Sequence, residues 1–141
     1  MTPRFGRVLT AMISPFTKDD DLDTEGAQTL AKWLVDQGNE GLVIAGTTGE
    51  SPTLTHEEQI DLIAAVVEAV DVPVIAGAGS NDTKAAVELT ERCTEVGASG
   101  ILTVTPYYNR PSQQGLMSHF SAVASSTNLP VMLYDLSLIH I

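Results

Sequence analysis

Three short segments hold the residue types that do chemistry. Gly46-Thr47-Thr48-Gly49-Glu50 sets two hydroxyls between two glycines. Glycine lets a backbone turn tightly and come close to a ligand. The hydroxyls and the neighbouring N–H groups are donors suited to a small carboxylate. The same pentapeptide also serves as a plain tight turn. Thr105-Pro106-Tyr107-Tyr108-Asn109-Arg110-Pro111 places two tyrosines side by side. If that stretch is extended, the rings point to opposite sides, and one can stay in its own subunit while the other enters a partner. Alternatively, both pack at an oligomer contact. Tyr134 closes an apolar run. Its phenol can give and take protons through a hydrogen-bonded relay, or it is an ordinary core aromatic.

The elements that must position these groups follow from the hydropathy pattern. Apolar runs occupy 8–13, 41–45, 72–76, 101–105 and 130–134. From the second onward they recur at roughly the 30-residue length of a βαβ unit. They are dense in Val, Ile and Leu rather than alternating, which suits parallel strands covered on both faces. The stretches between them read as capped helices. Asp23 or Thr24 caps a helix with Ala27, Leu30, Leu34 and Val35 on one face and Gly38 as its stop. Thr55 and Glu58 fit a capping box before Ile60, Ile63 and Val67. Asn81 or Asp82 caps a helix turning Ala86, Leu89 and Cys93 inward, stopped by Gly97. Ser112 opens a helix carrying Leu116, Phe120 and Val123. Trp33 is expected to pack beside its helix face, and His119 to lie on a helix surface or interface.

Five strands alternating with four helices allow an open doubly wound sheet or a closed barrel. Ser14-Pro15-Phe16 follows the first strand where a dinucleotide fold needs its glycine fingerprint, and Gly77-Ala78-Gly79 lacks the third glycine. The pattern therefore favours α/β architecture of the (β/α)₈ barrel type, in which sites lie at the carboxyl ends of the strands. A full barrel takes about 250 residues, so this chain is expected to supply the N-terminal half. The open edges of a half barrel would make it poorly soluble or self-associating.

Composition narrows the function. A net charge of −11 repels phosphate backbones and anionic lipid, so nucleic acid and membrane are excluded as partners. The single cysteine, Cys93, forms no internal disulfide and reads as core. The acidic run 19–21 lacks calcium-loop spacing and no Cys/His cluster has zinc spacing, so no metal site is expected. No run is long enough to span a membrane and no signal peptide is visible, leaving the cytoplasm as the default.

Taken together, GTTGE at 46–50, PVIAGAG at 73–79, TVTPYYNRPSQ at 103–113 and PVMLY at 130–134 resemble, in order and spacing, the dihydrodipicolinate synthase family of pyruvate-dependent class I aldolases and lyases. The resemblance covers about 7–135. The TPYYN segment and Thr48 favour the synthase over the sialic acid aldolases, which share the turn more loosely; a related lyase and a non-catalytic half barrel are the alternatives.

The resemblance implies a lyase of lysine and diaminopimelate biosynthesis that condenses pyruvate with L-aspartate semialdehyde to 4-hydroxy-tetrahydrodipicolinate. It implies a lysine Schiff base, no separate cofactor, and a homo-oligomer, dimer or tetramer. Thr48 would bind the pyruvate carboxylate. Tyr134 would donate and accept protons, with Thr47 and a neighbouring subunit's Tyr108 as its relay. Ser51, His56, Asn81 and Tyr107 match a regulatory lysine site. Gln59 and Ala85 stand where lysine-sensitive members carry a histidine and a glutamate, which implies weak or absent feedback.

Two departures accompany the match. The only lysines are Lys18, Lys32 and Lys84, and none falls at a strand's carboxyl end. In the family the Schiff-base lysine lies on the sixth strand, so the chain by itself is expected to be inactive. Asp135 fits the family, but the tail 136–141 does not and is expected to be foreign sequence. His140 is given no role.

Overall fold

The apolar runs pair into one parallel sheet. A computed structural model describes residues 4–135. Its elements are β1 (Leu9–Ala11), α1 (Thr24–Asp36), β2 (Gly41–Ile44), α2 (His56–Ala69), β3 (Val74–Gly77), α3 (Thr83–Glu95), β4 (Gly100–Val104), α4 (Gln113–Ser125) and β5 (Val131–Tyr134). A 3₁₀ turn, Ser51–Thr53, precedes α2. The tail 136–141 lies outside the described residues.

The strand order is β1-β2-β3-β4-β5, every neighbour parallel. A doubly wound sheet reverses direction to receive helices on both faces. Here each strand adds beside the one before it, which is how a (β/α) barrel wall is built. Register sets the faces. Leu42 pairs with Val74, and Ile44 with Ala76, which pairs in turn with Ile101. All five are at most 2% exposed and pack with Ala27 and Ala31 of α1, Leu62, Ile63 and Val66 of α2, and Leu89 and Cys93 of α3. The opposite face carries Val43, Leu102, Val104 and Tyr134, which are only half-buried.

Each helix starts on the cap its sequence announces. The Asp23 carboxylate accepts from Gly26 N–H at 2.8 Å. Thr55 and Glu58 form the reciprocal capping box. Asp82, rather than Asn81, accepts from Lys84 and Ala85 N–H. Ser112 accepts from Gly115 N–H. Gly38 and Gly97, at φ 96° and 91°, reverse the chain after α1 and α3 in the left-handed region that glycine tolerates.

Two side chains lie elsewhere than expected. Trp33 is 55% exposed. α1 turns Ala27 and Ala31 to the core and anchors to α2 through Gln28, whose Nε2 donates to the Ala65 carbonyl. Trp33, five residues on, is rotated about 140° away from that contact. His119 is buried at 4% exposure, its Nδ1 2.9 Å from Thr83 Oγ1. It clamps α4 to the first residue of α3 instead of facing solvent.

Candidate active site

The carboxyl ends of the strands gather the chemistry-bearing segments. β2 ends at Ile44, and the left-handed backbone of Ala45 (φ 54°) swings the chain into the turn 46–50. Ser51 N–H closes the turn on the Gly46 carbonyl at 3.3 Å, and Glu50 N–H bonds the Thr47 carbonyl at 3.1 Å. Glu50 is itself left-handed, at φ 53°. Among the described residues, no carbonyl or side chain accepts from the N–H groups of Thr47, Thr48 or Gly49. Thr47 and Thr48 are exposed and Gly49 is buried; unpaired backbone N–H groups in a turn of this kind are donors that can hold an anion without a lysine or arginine.

Two glycines of the third strand and its loop make that geometry possible. A Cβ on Gly77 would fall 2.2 Å from the Ala45 carbonyl oxygen, and one on Gly79 would fall 2.5 Å from Val104 N. Gly77-Ala78-Gly79 therefore lets three backbones approach one another. Ser14, after β1, completes the support: its buried Oγ donates to the Gly49 carbonyl at 2.5 Å. Sequence reasoning passed over Ser14, although a hydroxyl just past a strand's carboxyl end was the available signal.

Tyr134 is the last residue of β5. Its carbonyl accepts from Thr105 N–H at 2.9 Å and from Thr105 Oγ1 at 3.3 Å, which ties the β5 end to the 105–111 loop. Tyr134 and Thr47 line the same two cavities. One, of about 30 Å³, is walled by Gly46, Gly77, Leu102 and Val104. The other is a groove of about 420 Å³ bounded by Pro52, Thr105, Tyr107 and Asp135. The fold thus joins residues 87 positions apart at one opening. Thr48 is exposed on the turn and lines neither cavity. Tyr108 is 96% exposed at φ 71°, whereas its neighbour Tyr107 lines the groove.

Ser51, His56 and Tyr107 line a separate pocket of about 140 Å³ with Gln59 and Ser80. Asn81 is not in its wall; its carbonyl accepts from Asn109 Nδ2 at 3.1 Å. Gln59 is buried, and its Nε2 donates to the Ser51 carbonyl at 2.8 Å. Arg92 of α3 grips Glu57, the residue after His56, at 2.9 and 2.5 Å. The guanidinium holds the Glu57 carboxyl below the usual carboxylate range. Hydrogen bonds from Thr55 do the same for Glu58.

Burial pushes the Cys93 thiol up to about 12, so it is inert core. Lys18 and Lys32 are exposed, and Lys84 pairs with Glu88 at 3.6 Å; none lines a cavity. Among the described residues, no group of three or more His, Cys, Asp or Glu side chains is placed to hold a metal.

A sequence model of the dihydrodipicolinate synthetase family matches residues 4–138. The chain belongs to that family. It is 58% identical over 134 residues to a 4-hydroxy-tetrahydrodipicolinate synthase of Acidothermus cellulolyticus, an alignment covering 94% of this chain and 44% of the relative. The crystal structure of dihydrodipicolinate synthase from Bacillus anthracis superposes with a TM-score of 0.91 at 50% identity, over 96% of this chain and 47% of that one. The lysine-bound synthase of Cyanidioschyzon merolae gives 0.92 at 46% identity, over 94% and 46%. The pyruvate complex of the Acinetobacter baumannii synthase gives 0.88 at 39%, over 92% and 44%. The chain therefore spans a little under half the length of its synthase relatives, and its five strands and four helices match the N-terminal half of their barrel.

Proposed function

We propose that this chain carries the carboxylate seat and proton relay of a cytoplasmic 4-hydroxy-tetrahydrodipicolinate synthase. The observation that carries the proposal is the shared opening of Thr47 and Tyr134 beside three unpaired amide donors. Pyruvate is the first substrate, its carboxylate bound by the N–H arc and the Thr48 hydroxyl. L-Aspartate semialdehyde is the second. Imine formation and dehydration both require protons to move, and a phenol that shares a cavity with a threonine hydroxyl can move them without a metal. Tyr134 gives and takes those protons. Thr47 passes them on, and Tyr108 of a second copy completes the relay to solvent. The exposure of Tyr108, on a backbone bent into the left-handed region, supports its insertion into a neighbour. None of the three lysines supplies the imine-forming amine, so the proposal covers the seat and the relay only.

The test is a graft: residues 4–135 replace the matching segment of the Acidothermus cellulolyticus relative. The expected result is condensation of pyruvate with aspartate semialdehyde and no cleavage of a sialic acid. A folded graft that turns over neither substrate pair, or only the sialic acid, removes the assignment.

The pocket around Ser51, His56 and Tyr107 is proposed as the regulatory lysine site in a weakened form. Its wall has no carboxylate to pair with a ligand ammonium, and the Gln59 amide is already committed to Ser51. Lysine is expected to inhibit the graft only at millimolar concentration; micromolar inhibition would overturn this.

A further inference from the structure

The peptide unit joining Gly49 to Glu50 is held at both ends. Its oxygen accepts from Ser14 Oγ at 2.5 Å, and its N–H donates to the Thr47 carbonyl at 3.1 Å. Rotation of that unit would break both bonds at once. It would also disturb Glu50, which sits at φ 53° where side-chained residues need support from their surroundings. The support from the segment after β1 is specific, because Ser14 is 8% exposed and its hydroxyl has one partner, the Gly49 carbonyl. Contact is tight on the same side: a Cβ on Gly49 would lie 3.0 Å from the Met12 carbonyl and 3.2 Å from Ser14 Oγ. The N–H groups of Thr47, Thr48 and Gly49 immediately precede this fixed unit, so its orientation sets theirs.

Resting on the pyruvate assignment above, we propose that Ser14 is a positioning residue for substrate binding. Its hydroxyl locks the Gly49–Glu50 peptide so that the preceding amide arc stays open to the carboxylate of a 2-oxo acid. Ser14 does not touch the substrate; it acts through the turn. A group that shapes a seat used equally in ground and transition states changes KM and leaves kcat nearly constant.

The experiment is steady-state kinetics on the full-length graft with substitutions at position 14. Ser14→Ala is expected to raise KM for pyruvate about tenfold, the effect of one buried hydrogen bond, with kcat within about twofold. Ser14→Thr keeps the hydroxyl and is expected to restore KM to within about twofold, whereas Ser14→Val, its isostere without the hydroxyl, behaves like the alanine variant. An unchanged KM in Ser14→Ala, or equal KM values in the threonine and valine variants, overturns the role. If Ser14→Ala fails to fold, the threonine–valine pair decides alone. Equal KM values across all variants of an active graft would remove Ser14 while leaving the pyruvate assignment standing. A folded, unsubstituted graft without turnover would remove both.

Discussion

The two ends of this sheet solve the same problem with different residues. At the amino end, chain reversal into β2 and β4 uses Gly38 and Gly97, and Gly6 precedes β1, all three at positive φ. At the carboxyl end the positive-φ residues are Asp20, Ala45, Glu50, Tyr108 and Arg110, all bearing side chains. Glycine adopts that conformation at little steric cost, whereas other residues need surroundings that enforce it. The amino end is therefore built for stability. The carboxyl end keeps strained backbone where the amide arc, Thr47 and Tyr134 meet.

The sharpest break of that contrast is chemical. Tyr134→Phe in the graft is expected to lower kcat by on the order of 10²–10³-fold with the fold unchanged, since a general acid–base group is lost. Near-wild-type kcat would show that the carboxyl end holds strain without this proton transfer. The next effect is steric. Gly77→Ala would push a methyl group into the Ala45 carbonyl, a backbone atom with nowhere to go. We expect a loss of about 3 kcal/mol in urea unfolding of the chain.

At the opposite end Gly38→Ala has open space around its Cβ, so only conformation is at stake. It should cost about 1 kcal/mol and leave the graft's kinetics untouched. Its counterpart, Glu50→Gly, relaxes a strained position and should raise stability by up to about 1 kcal/mol while impairing pyruvate binding. If both substitutions affected stability and kinetics alike, the two ends would not differ in purpose.

The smallest effect is a pH dependence between the helices. Burial lowers the pKa of His119. The unfolded chain then binds the proton more readily than the folded one once pH falls below the ordinary histidine value of about 6.5. Stability is full above that value, declines as pH falls toward the lowered folded pKa, and this contribution levels off below it. His119→Gln should flatten that part of a melting-temperature profile against pH.

The fold was legible because its signals were local and redundant. Parallel strands that carry apolar side chains on both faces leave unbroken apolar runs, and the helices announce themselves through Asp23, Thr55 and Ser112. The choice between barrel and open sheet needed an absence, the missing glycine fingerprint, and the strand order decided it. Side chains on helix flanks were harder to place. Trp33 and His119 have apolar or amphipathic rings that suit either environment, and which flank meets a neighbour depends on helix rotation. In the site, Thr47 and Tyr134 stood at strand ends and could be named. Ser14 could not be given a role, because a serine–carbonyl bond spanning 35 positions leaves no periodic trace. The cramped approach at Gly77 and Gly79 was likewise invisible until the strands were in register.

Trp33 is the only tryptophan among the 141 residues, and it stands more than half out on the flank of α1 that turns away from α2. Its fluorescence therefore starts out water-like in the chain described here, and melting the core changes it little. A blue shift instead signals that something has docked along α1. The natural indole is thus a built-in optical reporter of assembly at that flank, while backbone ellipticity follows unfolding, and the two can be read in one cuvette without a label.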